Sequence, residues 1–188
     1  MYIESHRVRN VSSISLILAV VFVYSWSIQS SVAIAPKGKE KKTQIDVLFS
    51  PKGGCANRII EEIDNARKTI RVQMYFFTSE PIADALIEAK ERGIEVQVIL
   101  DDSQQKAKYG RWRVLRRDGV TVSFDGEHAT ANNKIILIDR RTIITGSYNY
   151  TKAAEEKNAE NVLIIRHAPK LFDKYLENFE KHSEHARR

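Results

Sequence analysis

The chain has 188 residues, 43% of them hydrophobic, with 30 Lys and Arg against 24 Asp and Glu and a net charge of +6. That length and balance suit one globular domain with a short appendage and exclude collagen-like, wholly disordered and multi-span membrane chains. The one cysteine, Cys55, excludes an intrachain disulfide framework and a multi-cysteine zinc site, while the mild positive charge favours acidic partners such as nucleic acid or anionic lipid.

From Val11 to Pro36 there is no charged residue and no His; Arg7 and Arg9 stand ahead of it, and Ile14–Tyr24 is almost continuously apolar. A basic start, an apolar stretch and small residues after it describe a secretory signal over residues 1–35, with cleavage after Ala33 or Ala35. The same run is long enough to span a bilayer, so an N-terminal membrane anchor is the alternative; Ser and Gln between Ser25 and Ser31 dilute its end and favour cleavage. Either way the bulk of the chain is expected to be exported, periplasmic or secreted. Residues 36–43, rich in Lys around Gly38, read as a solvated linker, and residues 44–188 as the folded domain. Losing Glu4, Arg7 and Arg9 with the signal lowers the charge by one, so the basic character belongs to the domain. Cys55 lies too far downstream to be a lipoprotein cysteine and is expected to be buried.

Within the domain, Ile45–Phe49 has a strand pattern, ended by Ser50-Pro51-Lys52-Gly53-Gly54. Ile59, Ile60, Ile63, Ala66 and Ile70 recur at helical spacing, and Arg71–Phe77 reads as a strand. Pro81 suits the first turn of a helix whose stripe is Ile82, Ala85, Leu86 and Ala89 and which Gly93 ends. Further strand patterns are Ile94–Leu100, Val120–Phe124, Ile135–Ile138, Thr142–Thr145 and Val162–Ile165; a last helix begins at Pro169, with Leu171, Phe172, Tyr175, Leu176 and Phe179 on one face. Strands alternating with helices, several of them continuous apolar runs, predict an α/β fold with a mixed, mostly buried β-sheet flanked by helices on both faces. No internal repeat is present.

The chemistry concentrates between residues 132 and 160. On an extended strand residues two apart share a face, so Asn132 pairs with Lys134 and Ser147 with Asn149. Brought together on adjacent strands, the two pairs would offer a cation, a hydroxyl and two amides to one ligand. By spacing alone the simpler reading is polar strand ends, which are common, with Gly146-Ser147 merely turning a corner.

The pattern Lys134-x4-Asp139-x6-Gly146-Ser147-x-Asn149, followed by the run Tyr150–Asn161, resembles the signature of the phospholipase D superfamily, and in particular its small single-motif bacterial, plasmid-type endonuclease branch. The likeness extends to the Ser50–Cys55 turn and to Tyr75-Phe76-Phe77-Thr78. It implies a phospholipase D-like fold and phosphodiester hydrolysis through a phosphohistidine, with one imidazole attacking and a second protonating the leaving oxygen. The resemblance also implies that no metal or other cofactor is required. One motif per chain implies a homodimer with a shared active site across an isologous twofold. Lys134 would neutralise the phosphate, with Ser147 and Asn149 hydrogen-bonding around it, and Glu160 matches an acid that orients the imidazole. Asp139, five residues from Lys134, falls on the opposite strand face and is expected to form an organising salt bridge, and Glu155 and Glu156 are expected to be helix-surface charge.

The departure falls on the nucleophile: the His of the His-x-Lys motif is here Asn132, and no His-x-Lys triplet occurs in the chain. An amide neither attacks phosphorus nor acts as a general acid near neutral pH. Losing such groups costs on the order of 10³–10⁶ in rate. His128 would sit roughly 13 Å away along an extended strand, so its substitution for the missing imidazole would need a turn at Ala129–Ala131.

Between Lys106 and Arg117 six basic residues run without an acid, interleaved with Tyr109 and Trp112. If Gly110–Asp118 is helical, Arg113, Arg116 and Arg117 share a face and could bind a nucleic-acid backbone or anionic headgroups. The alternative is a solvated helix with Trp112 and Leu115 packed inward. The expectation is therefore a phospholipase D-family phosphodiesterase, most like a metal-independent endonuclease, strongly impaired at Asn132. The alternatives are a phospholipase D acting on phosphatidylcholine-type lipids and a pseudoenzyme that binds nucleic acid or anionic lipid without cleaving it.

Overall fold

A computed structural model describes residues 41–187. The segment read as signal or anchor, and most of the linker, lie outside the described residues. Seven strands form one mixed sheet: β1 (Gln44–Ser50), β2 (Thr69–Met74), β3 (Glu95–Asp101), β4 (Thr121–Asp125), β5 (Lys134–Ile138), β6 (Thr142–Gly146) and β7 (Glu160–Arg166), in the spatial order β1-β7-β6-β5-β2-β3-β4. The β2–β3–β4 pairs are parallel, and every other pair is antiparallel. The helices are α1 (Cys55–Asp64), α2 (Glu80–Glu91), α3 (Trp112–Arg117), α4 (Lys152–Glu156) and α5 (Pro169–His185).

Both faces of the sheet are covered, as the continuous apolar strands require. Along β5 the side chains alternate: Ile136 and Ile138 join the core under α1 and α2, whereas Ile135 and Leu137 pack with Phe172 and Phe179 of α5. Lys134 continues the first of these series, so its Cβ faces the α1 and α2 side at the strand's open end. Cys55 is fully buried at the start of α1, and burial, with Glu155 nearby, pushes its thiol pKa up.

Three elements differ from the sequence reading. β2 stops at Met74; beyond it Phe76 and Phe77 turn to Tyr150, through Tyr150 N–H to Phe76 O at 3.1 Å and a parallel bridge between Phe77 and Tyr150. α1 ends at Asp64, because Asn65 N–H and side chain both close on Glu61 O and Thr69 already belongs to a strand. α3 is shorter than Gly110–Asp118, since Gly110 N–H closes a turn on Ala107 O and Arg111 N–H donates across to Phe77 O.

Candidate functional site

The residues singled out from sequence gather at one end of the sheet. Lys134 opens β5 opposite Met74, Gly146 closes β6 opposite Val162, and Glu160 opens β7 opposite Ser50. Three strand ends therefore converge with the Tyr75–Phe77 segment. Gly146 makes the convergence possible: its φ is 149°, and a Cβ there would lie 2.2 Å from Asn161 O. Ser147 is thereby locked onto Asn161, donating its N–H to Asn161 Oδ1 at 3.0 Å and accepting Asn161 N–H at Oγ at 3.1 Å.

The Lys134 ammonium donates to Asn132 O at 2.9 Å and also to Asn132 Oδ1, and stands 5.3 Å from the centre of the Tyr75 ring. Burial pushes its pKa down, against the opposing pull of the Glu160 carboxylate. Glu160 is fixed from two sides, by Ser147 Oγ–H at 2.5 Å and Asn158 Nδ2–H at 3.0 Å. The one hydroxyl proton of Ser147 is thus committed to Glu160. Asn149 accepts Phe76 N–H at Oδ1 (3.3 Å), which leaves its NH₂ as the donor end. The result is a half-exposed cation, a carboxylate and two amides, with no group that ionises as a nucleophile at position 132.

Two expectations are corrected. Among the described residues Asp139 makes no organising salt bridge; its carboxylate accepts three main-chain N–H groups, from Arg67, Lys68 and Thr69 at 2.7, 2.8 and 2.9 Å, at the far end of β5 from Lys134. A short acidic side chain in the left-handed turn at Asp139 (φ 53°) aims both oxygens at the start of β2. Glu155 is not surface charge: its Oε2 accepts Ala56 N–H at 3.0 Å and Tyr148 O–H at 2.8 Å, placing a carboxylate at the N-terminus of α1 where the helix dipole favours one. Glu156 is exposed and faces Lys152 at 3.6 Å, as expected of a helix surface.

The basic stripe is only partly engaged by the fold: Arg111 and Arg116 are half-buried, whereas Lys106, Lys108, Arg113 and Arg117 stay exposed. Arg113 lies 4.2 Å over the Trp112 ring and donates to Gln105 O. Arg116 donates to Val122 O at 3.0 Å and stacks on Trp112 and Phe124. Arg117 is paired with Asp118 through two hydrogen bonds, at 3.0 and 2.9 Å. Leu115 is fully buried beneath them. An open cavity of about 670 Å³ instead adjoins the Lys134 end, lined by Tyr75, Phe76, Tyr109, Arg111, Asn149 and Lys152 among others.

His128 does turn back on the chain, yet not toward position 132. Its Nδ1 lies 3.3 Å from both oxygens of buried Asp125, which also meets His182 Nδ1 at 2.5 Å and His185 Nε2 at 3.2 Å. Burial pushes the Asp125 carboxyl up, but the His182 bond and the Glu127 amide outweigh it and hold the pKa at about 2. Sequence reasoning missed this cluster. Its signal is the pair of short spacings Asp125-x2-His128 and His182-x2-His185, which nothing local connects.

Residues 59–183 match the family described as cardiolipin synthase, PLD-like domain. Phospholipase D of Rickettsia bellii (strain RML369-C) is 39% identical over 138 residues, 73% of this chain and 68% of its own length. Human mitochondrial cardiolipin hydrolase is 30% identical over 132 residues, 70% of this chain and 52% of its own. Among solved structures, the phospholipase D family member Nuc from Salmonella typhimurium superposes with a TM-score of 0.74 at 32% identity, covering 78% of this chain and 97% of that one.

Proposed function

The chain belongs to the phospholipase D-like family, and we propose that it is a phosphodiesterase-fold protein of nucleic-acid-acting type whose chemistry is suppressed at Asn132. The observation that carries this reading is the Lys134 end of β5, where the cation, Glu160 and Asn149 stand ready around a position that holds an amide. Lys134 would neutralise a non-bridging phosphate oxygen and the Asn149 NH₂ would donate to another. Ser147, its proton committed to Glu160, acts by positioning that carboxylate. Glu160 would hold an imidazole at position 132; with Asn there, no P–N bond forms and no proton reaches the leaving oxygen. The cavity beside the site supports a single-stranded nucleic acid, since Tyr75, Phe76 and Tyr109 offer stacking faces and Lys152, 84% exposed and only loosely paired with Glu156, offers charge at its rim.

A shared site in a homodimer is part of the same proposal. On edge strand β1, Ile45, Val47 and Phe49 are 61%, 53% and 63% exposed, an apolar strip with no partner among the described residues. Phe49 stands opposite Asn161, next to Glu160. A second copy seated on this strip would bring two Lys134 ends toward one twofold. The charge-free run from Val11 to Pro36 supports export of the domain.

A second reading, hydrolysis of phospholipid, is favoured by the names of the Rickettsia and human relatives. The test compares the chain with its Asn132→His variant on plasmid DNA, single-stranded DNA and phosphatidylcholine vesicles. The variant is expected to exceed the parent by about 10³-fold or more. Equal turnover by the parent would overturn the suppression; no gain on any substrate would overturn the site. Gain on vesicles alone would select the second reading.

A further inference from the structure

We propose that Asp125, His128, His182 and His185 form a binding site for one divalent transition-metal ion of the zinc class, which clamps the end of α5 to the loop leading to Asn132. One ligand atom from each residue lies within 4.8 Å of every other. A tetrahedral ion with bonds of about 2.0–2.1 Å has ligand–ligand edges of about 3.3 Å. From Asp125 Oδ1 the separations of 3.3 Å to His128 and 3.2 Å to His185 match such edges, while His182 lies 2.5 Å from the other oxygen, Oδ2, so that a small shift of its ring with a turn of the carboxylate would complete the set. The three rings surround the carboxylate with centroids 4.9, 5.4 and 5.5 Å apart, none stacked flat on another.

Three imidazole nitrogens crowd one carboxylate. Asp125 Oδ1 takes the Glu127 N–H at 3.1 Å and a share of His128, and Oδ2 takes His182. His185 Nε2 is buried 3.2 Å from Oδ1 without a well-aligned hydrogen bond among the described residues. A dication accepts a lone pair from each ring and charge from the carboxylate at once. Three imidazoles and one oxygen suit zinc and its neighbours, whereas calcium and magnesium require oxygen cages.

The placement argues for a structural role. Asp125 ends β4, His128 lies four residues before Asn132, and His182 and His185, three apart, share a face in the last turns of α5. Next to them the chain end is tied to the same strand by paired Phe124 and Arg187 main-chain bonds of 2.8 and 2.9 Å. Four protein ligands close the coordination sphere, as in zinc sites that hold a fold together.

The full chain, dialysed against chelator and then exchanged into buffer without it, is titrated with Zn²⁺ and separately with Co²⁺. One ion per chain after gel filtration, intense visible absorption from tetrahedral cobalt, and a Tm rise of about 5–10 °C at ~100-fold excess over Kd are expected. His185→Gln removes one imidazole and is expected to keep the chelated fold's Tm while weakening zinc by more than about 100-fold, since losing even an outer-sphere partner costs about 10–100-fold. His167→Gln, outside the cluster, should bind as the parent does. No stoichiometric ion, unchanged affinity in both His185→Gln and His128→Gln, or an equal Tm rise with Mg²⁺ would each overturn the proposal.

Discussion

The two ends of β5 carry opposite charges and use them in opposite ways. At one end Lys134 has a half-exposed ammonium whose partners, Asn132 and the nearby Glu160, leave it accessible. At the other, Asp139 spends both carboxylate oxygens on the main-chain N–H groups of Arg67, Lys68 and Thr69. The two residues are five apart in sequence and belong to one motif, yet one is available to a ligand and the other is consumed by the fold. A charge that is fully hydrogen-bonded internally stabilises the chain but has nothing to offer a phosphate; a charge kept for a ligand contributes little to stability until the ligand arrives.

Lys134→Ala tests the first half of that contrast and carries the largest expected effect. In the Asn132→His background it should lower phosphodiester turnover by about 10²–10³-fold, the usual cost of one donor at a developing anion. The Tm should move by less than about 2 °C, since the ammonium makes no buried ion pair. A large fall in Tm with unchanged turnover would reverse the contrast. Asp139→Ala tests the other half. It strands three N–H groups, two of which water can reach, and should destabilise the chain by about 2–3 kcal/mol in denaturant unfolding. Turnover of the folded Asn132→His enzyme should be nearly unchanged. Loss of turnover without loss of stability would return Asp139 to the catalytic machinery.

What was legible in the sequence follows the range of the interactions. The alternation of strands and helices, and the faces of β5 and α5, are local periodicities, so Ile135–Ile138 and Phe172–Phe179 are readable directly. The gathering of Lys134, Ser147, Asn149 and Glu160 was readable through the motif's resemblance; spacing alone favoured polar strand ends. Three things were not. The role of Asp139 depends on amides about 70 residues away. The imidazole cluster joins Asp125 to His182 across 57 residues. Glu155 reaches back 99 residues to cap α1, through a helix of five residues too short to leave a periodic signal. The basic run from Lys106 to Arg117 was legible only in part, for a related reason. Its charge was visible, but the carbonyls and rings that absorb Arg113 and Arg116, at Gln105, Trp112, Val122 and Phe124, were not recognisable as their partners.

The smallest expected effect sharpens the account of Asp139 itself. Asp139 and Arg140 both have φ of 53°, and Arg141 N–H closes on Ile138 O at 2.9 Å, a hairpin turn of the type I′ kind between β5 and β6. Asn tolerates that left-handed backbone as well as Asp does, and its amide oxygen can accept the bonds now made to one carboxylate oxygen. Its NH₂ would face the N–H group or groups served by the other. Asp139→Asn therefore keeps the turn and loses part of the amide capture, for a cost of about 1 kcal/mol, clearly below that of Asp139→Ala. Equal costs for the two variants would mean that the negative charge, rather than the number of accepted hydrogen bonds, holds the start of β2 in place.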